Sequence, residues 1–197
     1  MRAYRFVRLN YSIHSLIHVC MCVPNVIAIG TLGPQAEGVG NSKLVGEYMQ
    51  LSILFFVLGC IPVTIFWAFV THEAVLWFGF DEQTARIGQA FAIPYNLYQM
   101  VLGINHCLQS FLIFTDHEWY CLSSQGVAFV LQVATLMIAV GFANVNDLGL
   151  VGYVQCLTTL TFVSANFAVV IYRGWMDKYW DGFAISWSLR VSEIYRM

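Results

Sequence analysis

Five long windows of the chain contain no Asp, Glu, Lys or Arg, and no other feature constrains the fold as much. They cover residues 9–36, 48–72, 87–115, 119–146 and 148–172, and all 20 formally charged residues lie outside them. An α-helix rises about 1.5 Å per residue, so about 20 apolar residues cross the roughly 30 Å hydrocarbon core of a bilayer. Every window is long enough, with a margin for tilt. Soluble helices carry a charged face opposite an apolar one, and these windows have no such face to offer. Composition agrees: 59% of the 197 residues are hydrophobic and 10% charged, against about 25% charged in ordinary soluble domains.

Hydrocarbon offers no water to backbone N–H and C=O groups, so a spanning segment is a helix or part of a closed barrel. Barrel strands alternate in and out over about 10 residues. The run Ile53-Leu-Phe-Phe-Val-Leu58 does not alternate. The sequence therefore predicts an all-α, multi-pass integral membrane bundle of five transmembrane helices, over 11–32, 46–70, 87–114, 119–142 and 148–172. The first is interrupted near Pro24 and ended by Gly33-Pro34, and the second contains Pro62. His72 to Arg86 reads as an acidic interfacial loop. Asp116-His117-Glu118 is so short a turn that the third and fourth helices must be antiparallel neighbours. Residues 173–197 form a charged, Trp-rich interfacial tail (Trp175, Trp180, Trp187), as expected beside headgroups. Arg2, Arg5 and Arg8 imitate a signal-peptide start, but the apolar stretch after them is long and holds His14, His18 and Pro24, which favours a spanning helix.

The net charge of −2 and the scattered basic residues exclude a nucleic-acid footprint. Lys43, Arg173, Lys178, Arg190 and Arg196 would share one side of the membrane, and Arg2, Arg5, Arg8 and Arg86 the other; five against four gives no orientation. The six cysteines lie in or beside the apolar windows without metal-type or disulfide-type spacing, and read as small packing residues. No repeat at a fixed period occurs, although transporter folds commonly contain two related halves.

The third window is the most polar, with Gln89, Tyr95, Asn96, Gln99, Asn105, His106 and Gln109. Ion coupling normally uses an ionisable group at membrane depth, and histidine is the one candidate of suitable pKa within the windows. Asn105 and Gln109 stand four apart, on one helical face. Tyr95, Asn96, Asn105, His106 and Gln109 are accordingly candidate substrate-lining residues. The alternative is that the amides bridge neighbouring helices, each contributing about 0.6–2 kcal/mol. His14, His18 and Cys22 also recur every four residues, but three ligands on one helix cannot close a tetrahedral metal site, so no metal or cofactor is expected. Gly33, Gly38 and Gly40 lack the Gly-Lys-Ser/Thr of a phosphate loop. Ser124 with Ala128, and Ser164 with Ala168, are spaced for close helix approach. No residue pattern points to an enzyme.

Short motifs along the chain resemble the multidrug and toxic compound extrusion (MATE) family. Thr31-Leu-Gly-Pro-Gln35-Ala-Glu-Gly38 is similar to a Thr-Leu-Cys-Gly-Gln-Ala-aromatic-Gly segment closing the family's second helix. Gly46-Glu-Tyr48-Met-Gln50 is similar to the Gly-x-Tyr-x-Gln-Arg element that follows. Pro94, Leu108-Gln109, Asp147-Leu-Gly-Leu-Val-Gly152 and Trp180-Asp-Gly-Phe183 resemble later family features in order. Gly33-Pro34, Glu37 and Leu51 depart from the pattern. The resemblance implies family helices two to six of the N-terminal lobe, hence a truncated fragment not competent alone. It implies antiport of organic cations and xenobiotics against H⁺ or Na⁺, with the Gly33–Gly46 connection and the tail in the cytoplasm. A contrasting expectation is a degenerate membrane protein that only packs with other helices.

Overall fold

The computed structural model describes residues 26–142 and 148–180. They form five helices: α1, described over 26–38; α2, Ser42–Trp77; α3, Glu82–Phe114; α4, Glu118–Phe142; and α5, Leu148–Tyr172. There is no strand among the described residues. The molecule is an all-α bundle of membrane type. Helices α2 to α5 are each long and apolar enough to cross a bilayer. The kink expected at Pro24, the His14–His18–Cys22 stripe and the tail beyond residue 180 lie outside the described residues.

Several helices run past their expected ends. At 36 residues, α2 is about 54 Å long, and it includes much of the stretch expected to be a loop after His72. The real connection is the tight turn at 78–81, after which α3 begins at Glu82 rather than Ile87. Likewise α1 continues through Gly33-Pro34 to residue 38. Charge marks where a helix leaves hydrocarbon, whereas caps decide where it stops. Gly79 (φ 82°) turns the chain out of α2, and Asp81 caps α3 by accepting from the Thr84 amide at 3.1 Å and its hydroxyl at 2.8 Å. Those two bonds hold the Asp81 carboxyl below its ordinary pKa. At the other end Gly40 (φ 76°) reverses the chain, and Asn41 accepts from the Leu44 amide at 3.2 Å to open α2.

The expected short turn between α3 and α4 is present, with Asp116 at φ 63°. Contacts fix the directions of all helices. Val75 packs on Ala85 while Met49 packs with Leu108 and Phe111, so α2 and α3 are antiparallel. Gly149 meets Ala90 and Asn166 meets Asn105, so α5 runs parallel to α3. Gln132 meets Thr159 and Tyr120 meets Asn166, so α4 is antiparallel to α5. In this arrangement α3 is central, packed chiefly between α2 and α5, and α4 leans on α5. Gly103 and Gly152 permit the closest approaches, against the Phe56 ring and the Pro94 ring.

The outward surface is apolar. On α4, Phe129 is 68% exposed and Met137 72% exposed, which a water-facing helix would not tolerate. Inside hydrocarbon such groups lose nothing by exposure, so cohesion rests on close packing and internal hydrogen bonds rather than on the hydrophobic effect. The densest core gathers at one end of the bundle: Ala36, Val45, Met49, Leu108, Phe111, Leu112, Val170 and Met176. Residues 173–180 fold back over that end as a cap, with Trp175 and Tyr179 packed onto the cluster.

Candidate functional site

The polar residues of α3 reach several different neighbours. Asn105 faces α5, where its carbonyl oxygen accepts from the Asn166 amide at 3.3 Å. Asn166 in turn accepts from the Tyr120 hydroxyl of α4 at 2.9 Å, giving a buried chain across three helices. Gln109 faces α4 and accepts from the Gln125 amide at 2.8 Å. Asn105 and Gln109 stand four apart, about 40° round the helix, and bond to different neighbouring helices.

Asn96 points a third way. Gln89 donates to the Ala68 carbonyl at 3.0 Å, and Gly103 abuts Phe56, so Asn96 lies midway on α3 between two contacts with α2. Midway between Ala68 and Phe56 on α2 stands Pro62, which puts Asn96 and Pro62 at one level. Pro62 has no amide to donate, and the Asn96 amide nitrogen is buried without a hydrogen-bond partner among the described residues. Leaving such a donor unpaired costs about 1–3 kcal/mol.

A distinct face remains. Tyr95, Gln99, His106 and Gln109 follow each other at spacings of four, seven and three residues, all compatible with one side of a 3.6-residue helix. Gln99 donates to the Tyr95 hydroxyl at 2.7 Å, and the Gln109 side chain hydrogen-bonds to the His106 imidazole. Tyr95 stacks on Phe91 at 5.5 Å between ring centroids and tilts against Tyr98 at 5.7 Å. The face is thus an aromatic shelf and an imidazole, joined through Gln109 and Gln125 to α4. His106 is half-buried on this face.

Ionic groups sit at both ends of the bundle: Arg86 pairs with Glu82 at 2.9 Å beside the α2–α3 turn, and the cap end has a pair of its own. Lys178 pairs with Glu37, and this hydrogen bond holds the Glu37 carboxyl below its ordinary pKa and the Lys178 amine above its own. Trp175 packs on His117 at 4.1 Å and edge-on to Tyr120 at 5.0 Å, so the cap touches the first member of the buried Tyr120–Asn166–Asn105 chain. Gly46 lies so close to the Tyr179 carbonyl that a Cβ there would stand 1.9 Å from its oxygen. Among the other residues singled out by the motif, Tyr48 packs on the core. Thr31 returns its hydroxyl to the Ile27 carbonyl at 2.9 Å, Gln50 is half-buried, and Gln35 and Gly38 are exposed.

Sequence reasoning missed Gln125, Asn166 and Tyr120. The signal was available for the first two, since an amide inside an uncharged window seeks a partner helix. Among the described residues no group of three His, Cys, Asp or Glu side chains is placed to hold a metal ion. No family model, curated protein or solved structure matches the chain.

Proposed function

We propose that this chain is a lobe of a secondary transporter, carrying out MATE-like antiport of organic cations or other xenobiotics against H⁺ or Na⁺ together with a second lobe. The observation that carries the reading is the α3 face: His106, half-buried and hydrogen-bonded to Gln109, on the same side of the helix as the Phe91–Tyr95 aromatic pair, which lies about 16 Å away along the axis. An imidazole there supplies a proton-coupling group, and aromatic faces attract organic cations. The short motifs resembling the family remain part of the case. The basic residues are too evenly split to orient the chain, and it is the resemblance that puts the Gly33–Gly46 connection, and with it the cap end, in the cytoplasm.

A second reading, a bundle that only packs with other helices, is favoured by one observation. Asn105 and Gln109 spend their polar groups on Asn166 and Gln125, as structural amides do.

One experiment separates the two. The protein is reconstituted in proteoliposomes, and efflux of a fluorescent organic cation is followed under an imposed pH gradient. Transport predicts gradient-driven flux that His106→Gln abolishes without lowering the melting temperature in detergent. Absence of flux from the unaltered protein, alone and with a MATE C-terminal lobe supplied, decides for the packing reading.

A further inference from the structure

Between the end of α3 and the start of α4 lies a cavity of about 450 Å³, lined by Ile113, Glu118, Trp119, Cys121, Leu122 and Gln125. Its wall changes character along its length. Glu118 is the first residue of α4, and its carboxylate makes no ion pair among the described residues. Trp119, beside it, is 77% exposed. Gln125 lies two helical turns deeper, about 10 Å along the axis, and its amide is already engaged by Gln109. Ile113 and Leu122 supply exposed apolar wall.

A free carboxylate belongs at headgroup level, not in hydrocarbon, and an exposed indole belongs in the same layer. The cavity therefore starts among headgroups and descends into the acyl region. It presents negative charge and an aromatic face at its mouth and an apolar wall below. Asp116, exposed in the preceding turn, adds to the negative potential. These features describe the complement of an amphiphile with a cationic head.

We propose that this cavity is a membrane-lipid site selective for an ammonium headgroup, as in phosphatidylethanolamine or phosphatidylcholine. The ammonium sits between the Glu118 carboxylate and the Trp119 ring, and an acyl chain lies along Ile113 and Leu122. The proposal does not rest on the transport reading: Glu118, Trp119, Ile113 and Leu122 carry it, and the α3 face meets the cavity only where Gln125 of its wall bonds to Gln109.

The test is lipid retention. The protein is purified in detergent, equilibrated with equimolar phosphatidylethanolamine and phosphatidylglycerol, and its bound lipid measured by mass spectrometry. The unaltered protein retains the ammonium lipid about five- to ten-fold over the anionic one, the effect of one or two charge and cation–π contacts. Glu118→Gln and Trp119→Leu each bring the ratio towards one, whereas Glu73→Gln at the opposite end leaves it unchanged. Circular dichroism and melting temperature confirm that the exposed substitutions leave the fold intact. Free choline fails to displace the lipid at concentrations where a lysophosphatidylcholine succeeds. Equal retention of both lipids by the unaltered protein, a ratio unaffected by both variants, or displacement by choline as readily as by the lysolipid overturns the proposal.

Discussion

Asn166 of α5 donates its side-chain amide to the carbonyl oxygen of Asn105 of α3 across 3.3 Å, with both residues buried. The same Asn166 oxygen accepts from Tyr120, so one side chain ties α5 to both α3 and α4. Within hydrocarbon the alternative for each group is no partner at all, which is why such bonds hold a bundle together where apolar contact alone gives little preference. Asn105→Leu and Asn166→Leu should each lower stability in detergent. The double variant should lose less than the sum, with a coupling of about 0.6–1.7 kcal/mol. Thermal or SDS-titration unfolding of the four proteins reads the cycle; strict additivity would remove the bond from the account.

Gly103 tests the packing of α2 on α3. A Cβ at this position would stand 2.0 Å from the edge of the Phe56 ring, itself 1% exposed. Gly103→Ala is therefore expected to destabilise by about 1–3 kcal/mol through overpacking. Phe56→Leu, added to it, should restore part of the loss by giving the methyl room. A Gly103→Ala protein as stable as the parent would contradict the interface.

Gly46 tests the cap instead. Here the obstacle is backbone, the Tyr179 carbonyl, which has little freedom to give way. Gly46→Ala should lift residues 173–180 off the bundle, detected as a red shift and greater quencher access of tryptophan fluorescence. Helical content should change little, because the bonds within α2 are untouched.

The Glu37–Lys178 pair gives the cap a pH dependence of definite sign. Glu37 has its pKa lowered in the folded protein by the Lys178 hydrogen bond. Its contribution is thus complete above the ordinary glutamate value of 4.5 and is lost as pH falls through the lower folded value. Lys178 has its pKa raised, chiefly by Glu37, so its contribution is complete below the ordinary lysine value of 10.5 and lost as pH rises through the folded one. Cap docking, followed by the same tryptophan signal, should be flat from about pH 5 to 10 and weaken beyond both limits. Glu37→Gln should abolish the acid limb. Because the pair is partly exposed, high salt should reduce the effect.

Orientation is directly measurable. Single cysteines placed at Lys43 and at Glu73, in a background where all six native cysteines are replaced, should label from opposite sides of sealed vesicles. The orientation that the family resemblance implies expects the Lys43 position to react only from the cytoplasmic face. Reaction of the Glu73 position from that face instead reverses it.

The existence of α2 to α5 was legible because length and absence of charge are local properties, and α5 was placed at the observed residues, 148–172. Ends were less legible. His72 and Glu73 belong to α2 and Glu82 to α3, since a charged residue leaves hydrocarbon without leaving the helix. The α3 polar residues were visible as a set, but Asn96, Asn105 and Gln109 proved to address three different surroundings. Spacing alone does not say which neighbour stands on which side.

What the sequence determined by itself is the solvent: windows of this length without charge place the chain in lipid, and lipid admits only helices whose backbone bonds close internally. What the tertiary structure alone decided is pairing. Asn166 with Asn105, Gln125 with Gln109, Lys178 with Glu37 and the Tyr179 carbonyl against Gly46 join residues far apart in the chain. Such pairs depend on helix direction and rotation, which follow from how whole helices pack and which no local stretch of residues encodes.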